Sequence, residues 1–211
     1  MKHSSTNKSL KQSSRNWITR HVSDPYVIRA KKDGYRSRAA YKLIEIQEKY
    51  KIIRHSAVVL DLGAAPGGWS QVASNITHNI IAIDILAMDP IPNVKILCGD
   101  FTDPDVLLEI EQMIGFAGGI DVILSDMCPN TCGIKKVDHL RSVRMLEEVG
   151  EFSIRHLRAG GNLAIKVFQG GAELEILNTL KKKFQKVSYF KPKSSRPKSP
   201  EMYLVGREFN A

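Results

Sequence analysis

The sequence holds only three cysteines, Cys98, Cys128 and Cys132, in 211 residues. An odd count without a secretion signal argues against a disulfide framework and for reduced thiols in a cytosol. Cys128 and Cys132 stand four apart, yet no second Cys or His pair follows at zinc spacing, so no metal is expected. No apolar run approaches the roughly 20 residues that a membrane span needs. The polar N-terminus lacks the apolar stretch of a signal peptide. Also missing are a Gly-x-Gly-x-x-Gly turn and a Gly-Lys-Ser/Thr phosphate loop, which disfavours a dinucleotide or a nucleoside triphosphate as ligand.

What is present is an ordinary globular composition, 43% hydrophobic, with a formal net charge of +9. The length suits one domain with a substantial core. The charge suits a polyanion partner and modestly favours nucleic acid, with no membrane partner expected, over the blander readings of general solubility or binding to anionic lipid. Residues 1–14 are rich in Ser, Lys, Asn and Gln and read as a disordered basic tail, leaving 15–211 as a single domain. From Arg15 to Tyr50 the chain reads as helical and basic, with Arg29, Lys31, Lys32, Arg36, Arg38 and Lys42. Ala40, Leu43, Ile44 and Ile46 supply an apolar stripe at helical period.

Five short β-branched runs then predict strands: 57–62, 79–85, 94–98, 120–124 and 161–168. Helical stretches separate most of them, at 68–76, 104–114, 140–157 and 172–184. Strands alternating with helices predict an α/β fold: a mostly parallel sheet covered by helices on both faces. Two final runs, 187–190 and 202–207, have no helix between them and predict an antiparallel edge, for seven strands in all.

In a doubly wound sheet the ligand lies beyond the carboxyl ends of the strands. Four of these ends carry acids: Asp61, Asp84, Asp100 and Asp126. One Asp there is an ordinary helix cap; four in succession point to a site. The first turn, Gly63-Ala64-Ala65-Pro66-Gly67-Gly68-Trp69, is made of small residues that let a ligand press on the backbone. An adenosine-bearing ligand without phosphates fits. Asp84 is placed to accept from ribose hydroxyls, Asp100 to bind an adenine amino group, and a further acid to face an ammonium. S-adenosylmethionine has all of these groups.

Lys42, Asp126, Lys166 and Glu201 are left over, because the fold itself does not demand them. A lysine within the apolar run Leu163-Ala164-Ile165-Lys166-Val167-Phe168 is costly unless paired. It is either a structural ion pair or snorkelling lysine, or part of a functional carboxylate network.

Several segments carry a family resemblance: GYRSRAAYKL from Gly34, DLGAAPGGWSQ from Asp61, Gly99 to Phe101, SDMCPN from Ser125 and KVFQG from Lys166. Together they resemble the FtsJ-type ribosomal RNA methyltransferases, over about residues 16–207. The resemblance implies a Rossmann-like class I methyltransferase fold. It also implies S-adenosyl-L-methionine as cofactor, converted to S-adenosyl-L-homocysteine. A Lys-Asp-Lys-Glu tetrad falls on Lys42, Asp126, Lys166 and Glu201. Cofactor contacts fall on Gly67, Trp69, Asp84, Asp100 and Asp126. The implied substrate is a uridine ribose 2′-hydroxyl in the A-loop of 23S ribosomal RNA, within the large (50S) subunit, and the implied enzyme is a cytoplasmic monomer. Cys128 and Cys132 depart from the family's usual Ala and Ser.

The reaction expected is an in-line displacement at a sulfonium methyl, with Lys166 accepting the hydroxyl proton or orienting the hydroxyl. A neutral lysine at pH 7.4 requires a downward shift of about 3 units, or roughly 4 kcal/mol. Burial and Lys42 push that way, while Asp126 and Glu201 oppose it, so the sign stays open at this level. Arg36, Arg38, Lys42, Lys191, Lys193, Arg196 and Lys198 are candidate phosphate contacts. The competing readings are a catalytically silent RNA-binding assembly factor, a nicotinamide-dependent oxidoreductase, and a base or protein methylator using Cys128 as nucleophile.

Overall fold

The computed structural model describes residues 22–129, 132–168 and 174–211. The N-terminal tail 1–14 lies outside them, as do Asn130, Gln169 and Gly170 of the family motifs.

The basic N-terminal region is not one helix. Asp24 caps α1 (Pro25–Lys32), its carboxylate accepting from the Tyr26 N–H at 3.1 Å with Pro25 in the first turn. The chain breaks at Asp33 and turns through Gly34, φ +78°. It resumes as α2 (Ala40–Tyr50), which ends on Lys51 in the left-handed conformation. The apolar periodicity of residues 37–53 belongs to α2 alone.

The alternating pattern then unfolds as expected: β1 (Val58–Leu62), α3 (Gly68–Ser74), β2 (Asn79–Asp84), β3 (Val94–Cys98), α4 (Pro104–Ala117), β4 (Ile120–Ser125), α5 (Lys135–His156), β5 (Leu157–Phe168), α6 (Leu174–Lys183), β6 (Phe184–Phe190) and β7 (Glu201–Phe209). They form a seven-stranded sheet ordered β3-β2-β1-β4-β5-β7-β6. β1 to β5 are parallel; β7 runs antiparallel to both β5 and β6. The reversed strand therefore lies one place in from the edge, and β6 is the edge strand. β5 begins earlier than its apolar run. Leu157 pairs with Ile120 and Asn162 with Val122, so the residues between Leu157 and Asn162 form an irregularity that the apolar pattern does not register.

Side chains alternate across the sheet and feed two cores. Leu60, Leu62, Ile81, Ile83 and Ile123 pack with α4, α5 and α6 on one face. Val59, Ile80, Val122, Leu124 and Val205 pack with α2 and α3 on the other. Each fully buried aliphatic contributes about 1.5–3 kcal/mol of transfer free energy, which fixes the strand ends that carry the acids. Among the described residues, no helix is long and apolar enough to cross a membrane.

Candidate active site

The tetrad residues reach one point from four elements. Lys42 lies in the first turn of α2, Asp126 follows β4, Lys166 is within β5, and Glu201 opens β7. Parallel pairing of β4 with β5 sets Ser125 beside Ile165, bringing Asp126 next to Lys166. Antiparallel pairing of β5 with β7 sets Phe168 beside Glu201.

Lys166 Nζ stands 2.6 Å from Asp126 Oδ1 and donates to the Asp126 carbonyl at 2.6 Å. Lys42 Nζ lies 3.6 Å from Asp126 Oδ1 and 3.1 Å from Glu201 Oε1. The ammoniums and carboxylates alternate as Lys166, Asp126, Lys42, Glu201, all mostly out of water. Burial drives the Lys166 ammonium toward neutrality, but the Asp126 carboxylate, its hydrogen bond and Glu201 together outweigh it, and the net pKa is raised. Burial likewise pushes the Asp126 carboxyl up, and Lys166 and Lys42 reverse this to hold it below its usual range. Both groups are therefore charged at neutral pH.

Sequence reasoning missed a fifth member. Tyr203 is fully buried, and its hydroxyl donates to Asp126 Oδ1. In Met202-Tyr203-Leu204-Val205 it reads as an ordinary core aromatic. Its pairing opposite Lys166 is the only signal that could have found it, and that needs the register of β5 and β7.

A cleft of about 1060 Å³, including its open mouth, runs along the strand ends from the tetrad. Asp84, Asp100 and Asp126 line it, with Gly63 and Ala65 of the first turn and the apolar Ile85 and Phe101. The carboxylates also hold the local turns. Asp84 accepts from the N–H groups of Ala65 and Leu86, both at 2.8 Å. Asp100 accepts from the Thr102 N–H at 2.9 Å and its hydroxyl at 2.7 Å. Among the described residues no Lys or Arg lines the cleft. Acids and apolar side chains without cations fit a cationic, phosphate-free adenosine ligand better than a nucleotide. Beneath the turn, Asp61 is 1% exposed and accepts from Ser70 Oγ at 2.6 Å. Burial pushes its carboxyl up to about 7, against the Ser70 hydrogen bond.

Two expected cofactor residues do not line the cleft. Gly67 holds the turn at φ +106°, where a Cβ would lie 2.7 Å from Ile91 Cδ1. Trp69 is 3% exposed, donates from Nε1 to the Ala39 carbonyl at 2.8 Å and packs on Tyr203. Several expected phosphate contacts are likewise taken up internally. Arg36 donates to the carbonyls of Pro66, Asp89 and Pro90 at 3.2, 2.7 and 2.8 Å. Arg38 pairs with Asp24 and donates to the Ser194 carbonyl. Lys191 donates to the Pro197 and Ser199 carbonyls, and Arg196 lies 3.4 Å from Asp24. Cys128 borders the cleft, but burial pushes its thiol up, opposite to the shift that activates a nucleophilic cysteine.

Residues 35–209 match the FtsJ-like methyltransferase family, which spans every element of the site. The chain belongs to the FtsJ-like methyltransferase family. It is 47% identical over 206 residues to ribosomal RNA large subunit methyltransferase E of Mesorhizobium japonicum, covering 95% of this chain and 77% of that protein. The methyltransferase of the same name from Rickettsia bellii is 47% identical over 208 residues, with 95% and 91% covered. A crystal structure of a ribosomal RNA methyltransferase from Plasmodium falciparum superposes with a TM-score of 0.72 at 34% identity, covering 83% of this chain and 98% of that one. The chain is thus a methyltransferase of this family, with its Rossmann-like sheet.

Proposed function

We propose that this FtsJ-like methyltransferase uses S-adenosyl-L-methionine to methylate the ribose 2′-hydroxyl of a uridine in the A-loop of 23S ribosomal RNA. The substrate is the large (50S) subunit, and the enzyme acts as a cytoplasmic monomer. The observation that carries this reading is the assembled Lys42–Asp126–Lys166–Glu201 network at the end of the acid-lined cleft. The large-subunit methyltransferases E that resemble this chain support the choice of ribosomal RNA.

In this reading Asp84 accepts from the cofactor ribose, Asp100 from the adenine amino group, and Asp126 borders the methionine end. Gly67 and Trp69 contribute indirectly, Gly67 by setting the turn and Trp69 by bracing Tyr203. When bound, the cofactor supplies an electrophilic methyl group on a good leaving group, so positioning supplies much of the rate. Lys166, kept charged by Asp126, donates to the attacking 2′-oxygen and fixes its direction. It stabilises negative charge on that oxygen as the bond forms. Because Lys166 is already protonated, the hydroxyl proton leaves late, to water. Lys42 and Glu201 hold the Asp126 carboxylate in place and complete the charge balance.

The test is transfer of labelled methyl groups to large subunits that lack this modification, with nuclease mapping of the product. Label in a 2′-O-methylated dinucleotide supports the reading; label on a base or on protein overturns it.

A further inference from the structure

A second concave surface begins one turn along α2 from the tetrad. Lys42, Glu45 and Lys49 stand at i, i+3 and i+7 and share one side of the helix. The groove, about 940 Å³ with its mouth, is lined by Tyr26 and Arg29 of α1, Glu48 and Lys49 of α2, Phe190 at the end of β6, and Lys193. Phe190 pairs with Tyr203 across β6 and β7, so the groove adjoins the tetrad through a neighbouring strand. Lys49 lies about 10 Å along the axis from Lys42, at 1.5 Å per residue.

Its chemistry is mixed in a specific way. Lys49 Nζ lies over the Phe190 ring at 4.7 Å, and Arg29 over Tyr41 at 4.7 Å, so each ring face carries an exposed cation that a stacking base would have to displace. Arg29, Lys49 and Lys193 are exposed. Glu45 is committed to the rim, accepting from the Lys193 and Ser194 N–H groups at 2.6 and 2.8 Å. Glu48 lines the groove without an ion pair among the described residues. A free carboxylate is misplaced in a simple phosphate track, but it accepts well from amino groups on a base edge. Aromatic faces, exposed cations and a carboxylate without an ion pair among the described residues together match the three parts of a nucleotide.

We propose that this groove binds an unpaired nucleotide of the substrate RNA flanking the methylated residue. The base takes the place of the Lys49 ammonium on the Phe190 ring, the displaced Lys49 and Lys193 pair with the phosphates, and Glu48 favours a base with an exocyclic amino group over uracil. The inference rests on the RNA reading above and names where the strand runs.

Short fluorescent oligo(rC) and oligo(rU) serve as probes, with affinity read by anisotropy. The Tyr50 ring meets Phe190 edge-on at 5.7 Å, and Phe190→Leu keeps an apolar side chain there while removing the stacking face. It should weaken oligo(rC) binding about tenfold, within the range for one lost base stack. Glu48→Ala should remove the preference for oligo(rC) over oligo(rU). Unchanged cofactor affinity in both variants reports an intact fold. Equal RNA affinity for wild type and Phe190→Leu overturns the proposal. So does a loss confined to Lys49→Ala and Lys193→Ala, which means charge alone. Either result leaves ribose methylation standing, since product mapping tests that separately.

Discussion

The Tyr203 hydroxyl and Lys166 Nζ converge on one oxygen, Oδ1 of Asp126. Burial raises the Tyr203 phenol well above its ordinary value, and the Asp126 charge adds to this, so the phenol remains a donor at every physiological pH. The carboxylate is thereby clamped between a neutral and a charged donor.

Tyr203→Phe keeps the ring that packs on Trp69 and deletes only the donor. A hydrogen bond to a charged group contributes about 1.5–3 kcal/mol. If that is felt mainly in the transition state, kcat falls by at least tenfold with KM for the cofactor little changed. Steady-state kinetics separate the two parameters, and an unchanged kcat would show that Asp126 is held without Tyr203.

Asp61 gives the protein a pH-dependent stability. Its folded pKa of about 7 exceeds the ordinary 3.8, so the folded state holds the proton more tightly. Stability from this group therefore falls as pH rises from about 4 to about 7, by a few kcal/mol at most, and is flat above. Lys166 and Asp126 behave oppositely. Asp126, lowered, contributes above 3.8 and is lost as pH falls through its folded value. Lys166, raised, contributes below 10.5 and is lost as pH rises through its folded value. Denaturant unfolding of Asp61→Asn between pH 4 and 8 should show a shallower decline than wild type. Parallel curves would mean that Asp61 is ionised throughout.

Arg36 separates a structural arginine from an RNA contact. Its guanidinium satisfies three carbonyls of the 66 and 89–90 turns. Arg36→Ala should cost about 1 kcal/mol of stability, since the three bonds lie at the surface and water can replace the lost donor. The salt dependence of RNA binding should keep its slope, because no phosphate contact is removed. A slope reduced by about one, without loss of thermal stability, would assign Arg36 to RNA instead.

At Gly63, φ is +73° and a Cβ would collide with Met127 Cγ. Gly63→Ala therefore strains the cleft wall on both counts. Calorimetry of S-adenosylmethionine binding should show a loss of at least tenfold, together with a lower melting temperature. Wild-type affinity would mean that Met127 yields freely.

The fold was legible because its signal is local. Apolar runs ending at or beside Asp mark β1, β2 and β4, and the helical stretch from Pro104 begins where Asp103 caps it, whereas the start of α1 at Asp24-Pro25 is hidden in a stretch that reads as helical from Arg15. Lys166 stood out because a charge in an apolar strand is expensive. Information that depends on register or on a partner's carbonyl was not legible. Tyr203 looks like core, and Arg36 and Arg38 look like free surface charge. The break after Lys32 is carried only by Gly34 within an otherwise helical composition. The sign of the Lys166 shift also depended on distance: the 2.6 Å contact with Asp126, joined by Glu201, decides it against burial.

In the proposed reaction charged Lys166 orients the 2′-oxygen for methyl transfer. Single-turnover transfer to undermethylated large subunits by Lys166→Ala, with cofactor affinity measured on the same preparation, tests it most directly. The variant should give no ribose methylation above background and S-adenosylmethionine affinity close to wild type. Ribose methylation at a wild-type rate in that variant would contradict it.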